Sequence, residues 1–459
     1  MGNMNSANRE RVYFVSGATG TIGSVILEKL LSDKKAKVYV LIRANDASHL
    51  NERFECLLSY ISRNLGEIDK KDLDRVTAIR GDISKDCLGM DNKSWIELSQ
   101  KVTNIIHGAA NVKLNQTIDS AIENAVGGVR AILQLAKECK KNKTLRKIDY
   151  ISTIGVCGNS KGVFKEVRVA SSNSFRNTYE EAKAKAEELL YEYIDEKNFP
   201  ITIHRPSMVI GDSFKGEIIH FQIFYYLCEL IAGLKTGGII FKLKNLKLDV
   251  VPVDFVACAI LRSAKDDSTA GKIFHLCTGG KTAVRLEDLS GIVRGLYQQR
   301  LPEIQELPIP FWQNNIDELI GNTVGKVASV MKNIKPILSY LNEDQVFDSE
   351  RTCEWLKSVN IELPKPNSYL CKVLRYYFEE KENVRVQKKK NINDKNEKPI
   401  HNMAEFVSYS QSVWPNIKDK FTKSLYKRCQ NCILSDQTVT LKDGLCEYCR
   451  NIITDPLKI

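Results

Sequence analysis

Gly17, Gly20 and Gly23 fall within Val12-Tyr13-Phe14-Val15-Ser16-Gly17-Ala18-Thr19-Gly20-Thr21-Ile22-Gly23, directly after an apolar strand pattern and directly before an amphipathic helical one. Each glycine in that setting has its own use. The first permits a tight turn, the second lets backbone N–H groups approach a pyrophosphate, and the third lets helix and strand close on each other. The helix start adds partial positive charge. The run therefore predicts a dinucleotide site lined by Gly17, Thr19, Gly20, Thr21, Ile22 and Gly23.

The pattern continues as alternating strands and helices. Strands are expected at residues 12–16, 37–42, 76–80, 104–107, 147–152, 201–205 and 272–276. Helices are expected at 22–32, 53–65, 95–102, 121–140 and 179–197. Such alternation implies an α/β fold, a doubly wound parallel sheet of Rossmann type with right-handed crossovers. From about residue 212 the alternation weakens and Phe221, Phe224, Tyr225, Tyr226, Leu227 and Phe241 cluster, which suggests a smaller substrate-covering domain. The expected organisation is a tail at 1–10, a nucleotide-binding domain at 11–280 with an insertion at about 212–248, and a substrate-binding region at 281–380. A charged flexible linker at 381–400 and a C-terminal module at 401–459 complete it.

Lys and Arg number 67 against 56 Asp and Glu, a net charge of +11. That mild basicity suits an acidic or phosphorylated partner, and it suits simple solubility equally. No nucleic-acid reading module is recognisable, so no nucleic-acid partner is expected. The most apolar stretch, Ile218 to Leu234, is broken by His220, Gln222 and Glu229, which argues for a core or pocket helix over a membrane span. The start is polar, with no apolar leader, and thirteen cysteines then argue for reduced thiols and a cytoplasmic protein.

Tyr179-Glu180-Glu181-Ala182-Lys183 opens a helix and puts a phenol and an ammonium four residues apart on one face. A lysine so placed can lower a phenol pKa and ready it as a general acid. The pair alone is common on charged helices. Here it follows a strand ending Tyr150-Ile151-Ser152-Thr153, and a hydroxyl at the C-terminal edge of a parallel sheet stands where ligands bind.

Together with Arg205-Pro206-Ser207-Met208-Val209-Ile210-Gly211, these features resemble the extended short-chain dehydrogenase/reductases. A finer resemblance is to the thioester reductase branch, which includes reductase domains of nonribosomal peptide synthetases, carboxylic acid reductases and fatty acyl-CoA reductases. It is carried by Val38 to Arg43, Trp95 to Leu98, Ile106-His107-Gly108-Ala109-Ala110-Asn111-Val112, Asn124-Ala125-Val126-Gly127 and Asp249 to Asp254. It covers residues 10–280 well and 281–380 loosely. The resemblance implies that Thr153 and Tyr179 bind the substrate carbonyl oxygen and that Tyr179 donates the proton. It implies that Lys183 holds the nicotinamide ribose, that Asn124 supports the catalytic set, and that Asp82 and Ile83 flank the adenine. Ala109, Ala110, Asn111, Pro206, Ser207 and Met208 would complete the coenzyme site. Two departures stand out: Thr21 replaces a residue that is often bulky, and Ala182 replaces the serine usual before the lysine.

In NAD-selective folds an acid ends the second strand and binds the ribose 2′-hydroxyl. Here Arg43 takes that position and no acid occurs before Asp46. A guanidinium pairs with a 2′-phosphate, so NADP(H) is expected. The expected function is NADPH-dependent reduction of an acyl thioester, on coenzyme A or a carrier protein, to an aldehyde or alcohol. A nucleotide-sugar epimerase or dehydratase using the same residues is one alternative, and a non-catalytic NADP-binding scaffold is another.

Cys429-x-x-Cys432 and Cys446-x-x-Cys449 are separated by thirteen residues. Two such knuckles place four thiolates for a structural zinc ribbon, with no open coordination position for catalysis. Disulfides and an iron centre of rubredoxin type are the competing readings. The segment also resembles the zinc-binding start of some sugar amidotransferases, and a module of this kind suits docking to a protein partner.

Overall fold

The computed structural model describes residues 10–111, 116–170, 174–236, 238–297, 303–307, 345–393, 441–442 and 445–446. The chain divides into two compact units, residues 1–306 with 336–377, and residues 307–335 with 378–459.

The first unit is built on a seven-stranded sheet. Its strands are β1 (Arg11–Ser16), β2 (Ala36–Ile42), β3 (Val76–Arg80), β4 (Asn104–His107), β5 (Lys147–Ile151), β6 (Ile201–Pro206) and β7 (Ile273–Leu276). They lie in the order β7-β6-β5-β4-β1-β2-β3, and every pairing is parallel. The strand order reverses between β1 and β4, so a crevice opens there at the strand ends. The strands are nearly continuous apolar runs because helices cover both faces.

Helices α1 (Thr21–Ser32), α2 (Ala47–Leu65) and, further on, Val253–Ala264 bury Ile26, Leu30, Leu57, Ile61, Val256 and Ile260 on one face. On the other face α3 (Asn92–Lys101), α4 (Gly128–Lys141) and α5 (Thr178–Asp195) bury Leu98, Ile132, Leu135, Ala186 and Leu190. Caps set the helix starts. Asp46 Oδ1 accepts from His49 N at 2.8 Å, so α2 begins six residues before the expected position. Asn177 Oδ1 accepts from Glu180 N at 3.0 Å and starts α5.

Two expectations about the chain need correction. The apolar stretch 218–234 is helical only over Ile223–Ile231. Its preceding residues are fastened to the glycine loop instead: His220 Nε2 lies 3.1 Å from Thr19 O, and Gln222 Nε2 donates to Thr21 Oγ1 at 2.7 Å. Secondly, the span read as a linker from 381 is entered by an α-helix, Pro366–Asn393. Its Lys, Glu, Gln and Asn residues lack apolar periodicity, yet Lys, Glu and Gln tolerate a helix well. The chain from 345 also makes a strand in a small two-stranded sheet of its own and packs back on the first unit's core. Gln345–Phe347 pairs in parallel with Gly162–Phe164, and Trp355 stacks on Phe274 of β7 at 4.5 Å.

Residues 441–442 and 445–446 form an antiparallel hairpin with Leu441 opposite Cys446. Cys429, Cys432 and Cys449 lie outside the described residues. Among the described residues no group of His, Cys, Asp and Glu could hold a metal ion. No helix among them is long and apolar enough to cross a membrane.

Candidate active site

The site residues gather because each follows a strand that points the same way. Gly17 follows β1, Arg43 follows β2, Asp82 and Ile83 follow β3, Ala109 to Asn111 follow β4, Thr153 follows β5, and Ser207 and Met208 follow β6. Parallel pairing therefore brings six separated segments to one edge of the sheet.

The glycine loop is a cradle that side chains would fill. Gly17 has φ +82°, and a Cβ on it would stand 2.6 Å from Ala109 N. A Cβ on Gly23 would stand 2.1 Å from Gly17 O. Gly20 N donates to Gly17 O at 2.9 Å, closing the turn. Gly20 is also the N-cap of α1 and places no side chain on the first-turn N–H groups. Backbone donors at a helix start with no capping side chain fit a pyrophosphate. These residues fit a dinucleotide.

Arg43 is exposed at the end of β2. A second arginine, not anticipated from the sequence, stands beside it. Arg53 of α2 donates through Nη1 to Arg43 O, and its Nη2 lies 3.4 Å from Thr19 Oγ1. Nothing in its spacing marks Arg53, because only the fold of α2 back over the strand ends brings it there. Asp82 Oδ1 accepts from Ser84 N at 3.0 Å and from Ser84 Oγ at 2.9 Å, shaping the turn after β3. Ile83 Cδ1 would be 3.0 Å from a Cβ on Gly128, so Ile83 rests on the start of α4.

Asn111 Nδ2 donates to Gln116 Oε1 at 2.8 Å. Asn124 sits on a π-helical turn, Glu123–Gly127, that packs against α5, and its Nδ2 donates to Ser120 O at 2.7 Å. At β6 the sheet forks. Pro206 lacks an N–H, Ser207 N donates to Leu276 O at 3.0 Å, and from Met208 the chain pairs with Val250–Pro252.

Thr153 caps the turn Ile154–Cys157, its Oγ1 accepting from Gly155 N at 3.1 Å. Its hydroxyl proton stays available to donate elsewhere. A Cβ on Gly155 would lie 2.9 Å from Glu180 Cγ, so the missing side chain lets this turn lie directly on the first turn of α5, where Tyr179 stands. One turn on, Lys183 is buried, and its Nζ donates to Ile151 O at 2.8 Å and Tyr150 Oη at 3.1 Å. The turn that Thr153 caps thus lies against the first turns of α5, which carry Tyr179 and Lys183.

The electrostatics differ from the expectation in one respect. Burial, and then the Glu180 carboxylate, push the Tyr179 phenol up instead of the lysine drawing it down. A phenol held protonated is the form that donates a proton. Burial pulls Lys183 down to about 8, opposed by the Glu187 carboxylate.

Beneath these groups lies a buried polar network. Glu187, one turn beyond Lys183 on α5, accepts from Arg205 Nε at 3.0 Å, from Arg205 Nη2 at 2.6 Å, and from the Ser152 and Tyr191 hydroxyls. Arg205 Nη1 also donates to Val167 O at 2.9 Å. Ser152 precedes Thr153, so the network holds the end of β5 against α5. The Glu187 spacing from Lys183 was a readable signal; its buried partner on β6 was not.

Residues 15–260 match the NAD-binding family described as male sterility protein. The chain belongs to this family. Among curated relatives, glycine betaine reductase ATRR of Emericella nidulans is 24% identical over 80% of this chain and 28% of its own length. Fatty acyl-CoA reductase wat of Drosophila melanogaster is 26% identical over 56% of this chain and 54% of its own length. The chain thus spans about a quarter to a half of these relatives. Among solved structures, the terminal R domain of the myxalamid PKS-NRPS pathway superposes with a TM-score of 0.67 at 24% identity, covering 80% of this chain and 90% of that one. A thiolation-reductase di-domain from an archaeal non-ribosomal peptide synthetase gives 0.62 at 20% identity, covering 82% and 76%. These likenesses establish the fold.

Proposed function

We propose that this chain is an NADPH-dependent reductase of an acyl thioester. The observation that carries the reading is the meeting of Thr153 at the end of β5 with Tyr179 and Lys183 on α5, at the same sheet edge as the glycine cradle. Bound NADPH supplies the hydride. As the thioester carbonyl carbon gains it, negative charge develops on oxygen. The Thr153 hydroxyl donates a hydrogen bond to that oxygen, and Tyr179 Oη gives it a proton. The resulting hemithioacetal breaks its C–S bond to release an aldehyde and a thiol, and a second hydride would give the alcohol. Relatives that include a glycine betaine reductase and a fatty acyl-CoA reductase support a carboxyl-level substrate. The thiol would be coenzyme A or the arm of a carrier protein.

The test is NADPH oxidation with a panel of acyl-CoA and carrier-bound thioesters, with product mass as readout. Thioester-dependent oxidation with aldehyde or alcohol formed is expected. If no acyl thioester supports it and a nucleotide sugar is converted instead, the epimerase reading replaces this one.

We also propose that Cys429, Cys432, Cys446 and Cys449 bind a structural zinc ion. The spacing of the two knuckles and the hairpin that ends in Cys446 support this. Metal analysis should find about one zinc per chain, lost on Cys432→Ser. Metal-free, folded protein in which Cys429, Cys432, Cys446 and Cys449 all react with a thiol reagent would overturn it.

A further inference from the structure

Lys183 rests on a support that neither the glycine cradle nor the Thr153–Tyr179 pair uses. Two of its three N–H donors go to β5, to Tyr150 Oη and Ile151 O. That leaves one for a coenzyme hydroxyl. Tyr150 is 1% exposed and is itself held in place. Its ring centroid is 5.6 Å from that of His107 on β4, and His107 Nδ1 is 2.7 Å from Ser16 Oγ on β1. The support therefore crosses three neighbouring strands, from the residue just before the glycine turn to the base of the catalytic helix.

The charges around it favour one arrangement. Tyr150 from β5 and His107 from β4 face Lys183, and Tyr179 and Glu187 flank it on its own helix. Burial pulls His107 down to about 3, with the Lys183 ammonium a further cause, so the imidazole is neutral. Burial raises Tyr150 well above the ordinary phenol value, so it is neutral as well. Glu187 keeps its charge but is occupied by Arg205, Ser152 and Tyr191. The side-chain oxygen that accepts from Lys183 Nζ is Tyr150 Oη.

We propose that Tyr150, backed by His107, is a positioning residue that fixes the Lys183 ammonium beneath the strand ends and keeps it cationic for coenzyme and Tyr179. The proposal deepens the reductase reading and rests on it. It acts through Lys183 alone.

Tyr150→Phe removes the oxygen and keeps the ring. Without that acceptor the neutral amine is favoured, so the alkaline limb of the kcat/KM profile moves to lower pH, by about one unit, and kcat falls about tenfold or more. A merely structural role would lower the active fraction and leave the limb where it was. In a Lys183→Met background Tyr150→Phe should cost nothing further; a second multiplicative loss overturns the proposal. NADPH affinity against pH, read by coenzyme fluorescence, carries the same limb without any thioester. If the wild type binds NADPH but reduces no thioester, the reductase reading fails while this titration still decides the role of Tyr150. Should Tyr150→Phe fail to fold, His107→Phe keeps a neutral ring against Tyr150. That change removes the tie to Ser16, so the limb is expected to move the same way by a smaller amount, and a limb and kcat at the wild-type values overturn the proposal.

Discussion

Arg205 Nη2 lies 2.6 Å from Glu187 Oε2, and both side chains are closed off from solvent. The pair links β6 to α5 directly below the residues proposed to carry the chemistry. Burial alone would raise Glu187, yet its carboxyl is held below the ordinary value by the guanidinium and by the Ser152 and Tyr191 hydroxyls. Breaking such a pair strands a buried charge and costs about 3–5 kcal/mol. Glu187→Leu and Arg205→Met should each lower stability by that order in denaturant melts. The double substitution should recover most of the loss, because no charge is then left unpaired. A double mutant no more stable than the singles would count against this account.

Tyr179→Phe and Thr153→Val remove the two hydroxyls proposed to meet the developing oxyanion. Losing one such donor costs about 2.7–4 kcal/mol, or about 10²–10³ in kcat. NADPH binding should persist in both. Steady-state turnover beside coenzyme fluorescence checks this, and full activity in Tyr179→Phe would remove the assigned acid.

Arg43 and Arg53 stand together at the end of β2. A hydrogen bond to a charged group contributes about 1.5–3 kcal/mol, so Arg43→Ala or Arg53→Ala should raise the KM for NADPH about tenfold or more and barely change that for NADH. Equal effects on the two coenzymes would mean that neither arginine reads the 2′-phosphate.

The Lys183 value of about 8 sets a pH dependence. Burial favours the neutral amine, so the ammonium is fully present below that value and is lost as pH rises through it. Activity that depends on a cationic Lys183 should fall on the alkaline side near pH 8. A profile flat to pH 10 would contradict it.

Gly23→Ala places a Cβ 2.1 Å from Gly17 O, and its nearest neighbours are all backbone atoms of Gly17 and Ala18, with no flexible side chain to move. The substitution should abolish NADPH binding and lower the melting temperature, both measurable on purified protein. Gly291→Ala, in the helix Leu286–Leu296 where nothing lies within 4 Å of the new atom, is the control and should leave NADPH binding unchanged without lowering the melting temperature.

Much of the site was legible because local rules wrote it. The glycine run, Arg43 in place of an acid and the Tyr179–Lys183 spacing depend on turns, strand ends and a helical period, and those patterns are short. The helix starts at Ala47 and Thr178 were missed by one to six residues because side-chain caps at Asp46 and Asn177 set them. The return of Gln345–Phe347 to pair with Gly162–Phe164 was not legible at all, since residues more than 180 apart carry no shared period.

By itself the sequence determined the alternation of strand and helix, and with it a parallel sheet whose C-terminal edge binds a dinucleotide. Periodicity and glycine spacing act over a few residues, so they can be read without coordinates. Only the tertiary structure decided what lies beneath Lys183 and beside Arg43. Tyr150, His107 and Ser16 come from three strands, Glu187 and Arg205 from a helix and a strand, and Arg53 from a helix folded back over the sheet edge. Their meeting depends on sheet order and helix packing, which are properties of the whole chain.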